Sequence, residues 1–391
     1  MKILITTIFE YPHEGGLSTH VSTLKSGLEA KGHQVDVLSF SDMNPLFRKV
    51  YSQAPGYLLN RVSKGKGQLL NDSQKKKLLS TYLASRKGNY DVINSQDVFA
   101  ALASIDSGLP TVATVHGYYS FEAISRGALI EHSKEDFRVQ EIEKKSYQNA
   151  TKVVAVDKRI REYIKEKANV DAITIKNFID VSSFQPEKAD TTSVKEEFNI
   201  PDNLNILFVP RRLTEKNGVV YPTLALPKVL KKHPNTLLVY AGTGEQLGKI
   251  KEEISKNGLE NNVKLLGSVP HEKMKSLYAL SDIVLVPSVH SYGVEEATSI
   301  SALEAMGSSS PVVAGAVGGL KEIFDHETDG LLVPDKDVDA LSDSIIRILD
   351  NPEFGKLLAR NARIKVEQEY SHLAAASKFE QIYEEAIKTF K

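Results

Sequence analysis

The chain has 391 residues, 41% of them hydrophobic and 25% charged, with a net charge of −1 and no cysteine. Length alone allows roughly two to three domains with substantial cores. The missing cysteines exclude a disulfide framework and a thiolate metal site, and near-neutrality leaves no global field to recruit nucleic acid.

In chain order the first element is KILITT (2–7), a compact β-rich run, followed by a glycine loop and a helical stretch from Ser18 to Lys31. An acid and a glycine pair follow so soon that the run reads as a core strand rather than a secretion signal. No apolar stretch approaches the roughly 20 residues of a membrane span, so a cytoplasmic protein is expected. QVDVLSF (34–40) is the second strand. Segment 41–90 then carries Arg48, Lys49, Arg61, Lys64, Lys66, Lys75, Lys76, Lys77, Arg86 and Lys87 against Asp42 and Asp72, a local balance of +8. Mixed with Leu, Tyr and Val, these cations are either a solvated helical face or a surface that docks an anionic acceptor or the inner leaflet of a membrane.

YDVINS (90–95), TVATVH (111–116), KVVAVD (152–157) and DAITIKN (171–177) continue the strand series. After Pro186 and EKADTTSVKEEF the pattern restarts with NILFVP (205–210), TLLVYAG (236–242), VKLLG (263–267), DIVLVPS (282–288), PVVAG (311–315) and GLLVP (330–334). Near-continuous apolar runs alternating with helices predict parallel strands covered on both faces. Two such series predict an α/β protein with two doubly wound Rossmann-like domains, 1–185 and 186–371, facing a cleft. The stretch from about 353 reads as helix only, and its last part, about 372–391, is expected to cross back onto the first domain.

Ligands in such sheets bind beyond the carboxyl ends of the strands, so the strand-end loops are where chemistry is sought. In HEGGLSTH (13–20), Gly15 and Gly16 allow close backbone approach, and the next helix presents N–H donors to an anion; a tight turn serving packing alone would read the same. His116 closes TVATVH, placed for hydrogen bonding or proton transfer, or for a structural bond in the core. PRRLTEKNG (210–218) groups Arg211, Arg212 and Lys216, a fork and a point charge suited to a diphosphate, or else plain surface charge. GTGEQLG (242–248) only loosely resembles a dinucleotide loop, because it sits on a middle strand without the crossover unit of that fingerprint. Gly242 is expected to lie against a phosphate or ribose instead.

EEATSISALEAM (295–306) places Glu296 and Glu304 at the ends of a small, apolar run. A capping box from Ser301 to Glu304 would leave about one turn before Gly307, too short to hold. A start near Thr298 or Ser299 gives a longer helix and frees N–H groups at Ala297, Thr298 and Ser299 for a phosphate. Glu304 then lies inside the helix, where a carboxylate can accept from vicinal hydroxyls such as those of a ribose. With no cluster of acids around it, no metal is expected.

Taken in order, these motifs resemble the retaining glycosyltransferases of the GT-B fold, glycosyltransferase family 4. EGGLSTH resembles that family's N-terminal glycine loop, VHG its histidine motif, and IKNFIDVSSFQP (175–186) its interdomain segment. RRLTEKNG is similar to the arginine–lysine phosphate motif, EATSISALE to the two-glutamate motif, and GGLKEIFDHETDGLLVP to the segment after it. The resemblance spans nearly the whole chain. It implies a metal-independent hexosyltransferase, without a cofactor, that moves a sugar from a nucleotide-diphosphate donor to the hydroxyl of a glycan or lipid-linked acceptor. UDP is the family's commonest carrier, and cell-surface polysaccharide or glycolipid synthesis the implied setting.

The resemblance also implies residue roles. Arg212 and Lys216 would neutralise the leaving diphosphate, with Gly16 approaching the phosphates by its backbone. Glu304 would bind the ribose, while Glu296 and the backbone of Ala297, Thr298 and Ser299 would hold donor sugar and phosphate. His116 would steady the sugar near its anomeric carbon, and backbone near GSVPHEKM (267–274), Val269 included, would recognise the base. Same-face attack, with the donor phosphate taking the acceptor's proton, needs no protein nucleophile. This sequence departs from the family at Phe178, Arg211 and Ala297, where glycine is usual. Two rivals stand beside this reading: a nucleotide-sugar epimerase of the same fold, and a non-catalytic nucleotide-sugar-binding protein.

Overall fold

A computed structural model describes every residue except 14–15, 63–64, 87, 126, 292–297 and 391. The described residues form two compact units, one of Met1–Lys176 with His372–Lys391 and one of Asn177–Ser371.

In the first unit β1 (Lys2–Thr6), β2 (Gln34–Leu38), β3 (Val92–Ser95), β4 (Thr111–Val115), β5 (Lys152–Ala155) and β6 (Ile173–Thr174) form a parallel sheet in the order β2-β1-β3-β4-β5-β6. In the second, β7 (Asn205–Val209), β8 (Thr236–Tyr240), β9 (Val263–Leu265), β10 (Ile283–Val286), β11 (Val312–Gly315) and β12 (Leu331–Val333) form another, in the order β12-β11-β10-β7-β8-β9. Each strand falls inside one of the apolar runs read from the sequence. The cause is local: TVATV of β4 and IVLV of β10 are buried at every position, as β-rich runs covered on both faces must be. Along β7 successive side chains feed opposite cores. Ile206 and Phe208 join Val239, Val284 and Met306, whereas Leu207 and Val209 join Leu238, Tyr240 and Ile283.

The last helix, His372–Phe390, buries Ala375, Ala376, Phe379, Ile382, Tyr383 and Ala386, the three-and-four spacing of a single helical face. It packs on the helix Gly16–Ala30, where Gly27 leaves room for the His372 backbone that a Cβ would occupy. At the edge of that contact Lys31 and His33 reach Glu380 at 2.8 and 3.0 Å.

The division falls at Lys176/Asn177, ahead of the expected 185/186, so the boundary needs correction. Ile179, Val181 and Phe184 set it. They are buried in the same core as Phe208 and Ala302, and Ile179 bridges to Ser371. Apolar burial outweighs the Pro186 signal.

Segment 41–90 is mainly helical, including Ala54–Val62 and Lys66–Ala84. Its positive charge is partly cancelled in space: Arg48 meets Glu10 at 3.8 Å, Lys75 meets Asp72 at 3.6 Å and Lys76 meets Asp106 at 2.7 Å. Leu46, Val50, Tyr51 and Tyr57 are nonetheless exposed, while Lys64 and Lys87 lie outside the described residues. Among the described residues no helix is long and apolar enough to cross a membrane.

Candidate active site

The second sheet reverses its winding between β7 and β10, the position where doubly wound sheets bind ligands. The loops leaving those strands bound a pocket of about 250 Å³, with Arg212, Lys216 and Asn217 from one loop and Thr298, Ser299 and Ser301 from the other. Backbone geometry explains the pairing. Gly218, at φ +63°, presses on the Pro287 carbonyl, where any Cβ would collide. The Val289 N–H donates to the Lys216 carbonyl at 3.0 Å, which ties the two loops together.

The adjacent arginines differ in exposure. Arg211 is buried and donates through Nη1 to Ser288 Oγ, so it builds the wall. Arg212 is exposed, and its carbonyl accepts from Asn217 Nδ2 at 2.8 Å, which shapes the turn beneath it. Gly242, at φ +152°, lies against the Arg211 carbonyl with no room for a side chain. Its glycine therefore serves the approach of one strand-end loop to another. Val269 is half-buried against the core of the second sheet.

The helix Ile300–Gly307 has Ser299 at its N-cap, the later of the two expected starts. Ser299 makes no capping bond; its Oγ stands 3.2 Å from Ser301 Oγ instead. The helix thus opens on the pocket without a side-chain cap, and its partial positive charge faces the cationic loop's pocket. Glu304 lies within this helix and is buried. The Tyr278 hydroxyl donates to its Oε2 at 2.8 Å, and His271 Nδ1 stands 3.9 Å from Oε1. Burial pushes the Glu304 carboxyl up to about 7 while the Tyr278 bond pulls the other way. The pocket's walls bring Arg212, Lys216, Thr298 and Ser299 together; Glu304 faces Tyr278 and His271 instead. Gly15, Glu296 and Ala297 lie outside the described residues.

In the first unit Gly16 opens the helix Gly16–Ala30, exposed and with free space where a Cβ would stand. His116 follows β4 and is half-buried, its Nε2 bonded to Gln96 Oε1 at 2.8 Å and its ring edge-on to His20, with centroids 4.6 Å apart. Burial lowers its pKa to about 4, so the ring is neutral at physiological pH. Beside it Asp97 caps the helix Val98–Ile105 through the Ala100 N–H at 2.8 Å and accepts from Thr7 Oγ1 at 2.9 Å.

Sequence reasoning missed Gln96, Tyr278 and Ser288, the residues that hold His116, Glu304 and Arg211. The signal for Gln96 was present: NSQD (94–97) is a polar run where β3 ends, and polar groups buried at a strand end need partners. Among the described residues no three His, Cys, Asp or Glu side chains are grouped as a metal would require.

Two parallel sheets, with a cationic pocket at the switch point of the second, fit the GT-B layout, and comparison with known proteins shows the family. The model of Glycosyltransferase Family 4 matches residues 14–183, and that of Glycosyl transferases group 1 matches residues 190–365. An uncharacterized glycosyltransferase of Methanocaldococcus jannaschii is 30% identical over 99% of both chains. The D-inositol 3-phosphate glycosyltransferase of Saccharomonospora viridis is 24% identical over 96% of this chain and 90% of its own. In fold the chain is similar to sucrose-phosphate synthase from Thermosynechococcus elongatus, with a TM-score of 0.72, 21% identity and 98% of each chain covered. It is also similar to Anabaena HepE in complex with UDP and glucose, with a TM-score of 0.67, 18% identity and 98% and 99% covered. The chain belongs to the GT-B glycosyltransferases, its first half to family 4 and its second to group 1.

Proposed function

We propose that this glycosyltransferase is a retaining, metal-independent enzyme that moves a sugar from a UDP-linked donor to a hydroxyl of a glycan or lipid-linked acceptor. The observation that carries this reading is the pocket at the β7/β10 switch point, where Arg212 and Lys216 share walls with an uncapped helix start. Two cations and a helix dipole suit a diphosphate, and they strengthen their hold as negative charge builds on the leaving group. Glu304 would accept from the ribose hydroxyls, and Glu296 with the backbone from Ala297 to Ser299 would hold the sugar and phosphate. His116, a neutral ring, would hydrogen-bond the sugar without adding charge. The UDP and glucose bound by HepE support the donor class.

In the reaction the acceptor oxygen bonds to the anomeric carbon on the face that the diphosphate leaves. The carbon–phosphate-oxygen bond breaks with its electron pair going to the diphosphate, and the acceptor proton passes to a donor phosphate oxygen. No covalent intermediate with the protein is required. The cations would do what a divalent metal does elsewhere. We place the enzyme in the cytoplasm at the inner membrane face, where exposed Leu46, Val50 and Tyr51 beside Lys49 would meet a lipid-linked acceptor in surface-glycan synthesis.

The test is a thermal-shift panel of nucleotide sugars without metal. A true donor at about 100 times its dissociation constant stabilises by roughly 2.7 kcal/mol. A response confined to metal-loaded samples overturns the metal-independent reading, and no response to any nucleotide sugar overturns the donor assignment. Release of free or altered sugar without acceptor would mark an epimerase, and an inverted anomeric product would end the retaining assignment.

A further inference from the structure

We propose that Tyr383, acting through the side-chain amides of Asn94 and Gln96, is a positioning residue that holds His116 as the Nε2–H tautomer with Nδ1 left as an acceptor. This rests on the reading that His116 contacts the donor sugar. The chain of bonds starts on the last helix. Asn94 Nδ2 donates to the Tyr383 hydroxyl at 2.6 Å, and Asn94 Oδ1 accepts from Thr114 Oγ1 at 2.8 Å and from Gln96 Nε2 at 3.0 Å. Gln96 has then turned its NH2 toward Asn94, so its oxygen faces His116 Nε2 at 2.8 Å. An amide oxygen only accepts, so the proton belongs on Nε2.

The setting makes this more than packing. Asn94, Gln96, Thr114 and Tyr383 are each at most 1% exposed, among β3 and β4 residues that are otherwise mostly apolar. Burying polar groups there costs stability that apolar side chains would avoid, unless every group finds its partner. Four such residues ending on one imidazole serve to orient that ring. A neutral Nδ1 lone pair accepts from a sugar hydroxyl, whereas the other tautomer would present an N–H there and reverse the direction of that bond.

The experiment is long-range ¹H–¹⁵N NMR of the histidine rings in the full chain, read beside steady-state kinetics. Wild type should show His116 as the Nε2–H tautomer. Gln96→Leu should give mixed tautomers and a kcat lower on the order of tenfold to a hundredfold, with the KM for donor changed much less. Gln96→Glu keeps an acceptor at that place and adds a negative charge; it should retain the tautomer, move the His116 titration to higher pH, and carry the test should Gln96→Leu fail to fold. Tyr383→Phe should shift the tautomer balance in the same sense as Gln96→Leu, but less. An Nδ1–H ring in wild type, or an unchanged ring spectrum in Gln96→Leu and Tyr383→Phe, overturns the proposal. His116→Ala with normal turnover would instead overturn the site assignment, leaving the spectra to decide the tautomer.

Discussion

The polar residues at the carboxyl ends of the two sheets are handled in opposite ways. At the ends of β3 and β4, Asn94, Gln96, Asp97, Thr114 and His116 spend their hydrogen bonds on one another, on Tyr383 and Thr7 and on nearby backbone, and the imidazole at the end is neutral. Beyond β7 and β10 the arrangement is open: among the described residues Arg212 and Lys216 form no ion pair, and the helix beside them lacks a side-chain cap. A satisfied network can orient a group but has little left with which to bind charge. An unsatisfied cationic site has binding energy in reserve and waits for an anion to supply the missing partners. The difference separates a region that positions from a region that grips.

Substitutions can break that contrast, and the largest effect is expected at the end of the satisfied network. His116→Ala should lower kcat on the order of 10²-fold or more while the UDP dissociation constant changes only a few-fold, as isothermal titration would show. A loss of UDP affinity matching the loss of turnover would erase the distinction. The second-largest effect belongs to the open site. Arg212→Ala and Lys216→Ala should each weaken UDP binding by about 1.5–3 kcal/mol, the worth of a hydrogen bond to a charged group, with kcat falling as well. Arg212→Lys should recover only part of this, because a point charge does not replace a fork. Binding that ignores both alanine variants would remove the diphosphate from this pocket.

Glu304→Gln sharpens the comparison through pH. Burial raises the Glu304 carboxyl to about 7, above its unfolded value, so the native state holds this proton more tightly. Its contribution is present below the unfolded pKa and is lost as pH rises through about 7. Glu304→Gln should therefore leave urea midpoints similar near pH 4.5 and raise them at pH 8, by about 3 kcal/mol in stability. The same variant should bind UDP less tightly. A midpoint lower than wild type at pH 8 would contradict the sign. The smallest effect is expected for Gly218→Ala, where a positive φ and the Pro287 carbonyl both oppose a Cβ. It should cost about 1–2 kcal/mol of stability and loosen the tie between Lys216 and Val289. An unchanged melting temperature would show that the two loops do not depend on that contact.

Much of this was legible before any coordinates. The β-strands follow from short apolar runs bounded by helices, because each strand's demand for burial on both faces is written locally, as in IVLV of β10. Helix Ile300–Gly307 could be placed by the same local logic, since Ser301 as a cap would have left too short a helix. Arg212 and Lys216 stood out as cations at a strand end. What escaped were the supports. Tyr278 reads as one more aromatic of an amphipathic helix, and nothing near it in the chain says that its hydroxyl meets Glu304. The boundary after Lys176 was misplaced because Pro186 is a visible punctuation mark, whereas the burial of Ile179 and Phe184 against Phe208 is not.

By itself, then, the sequence determined the strands, the helix that carries Glu304, and the residue types available at each strand end, because propensity and hydrophobic pattern act over a few neighbouring residues. Only the tertiary structure decided which of those ends meet. Strand order puts Lys216 beside Val289 and Thr298 and turns Arg211 inward to Ser288, while the packing of the last helix brings Tyr383 to Asn94. Those contacts join residues far apart along the chain, and they form because each sheet and its own covering helices must bury their faces together, which no short window of sequence can specify.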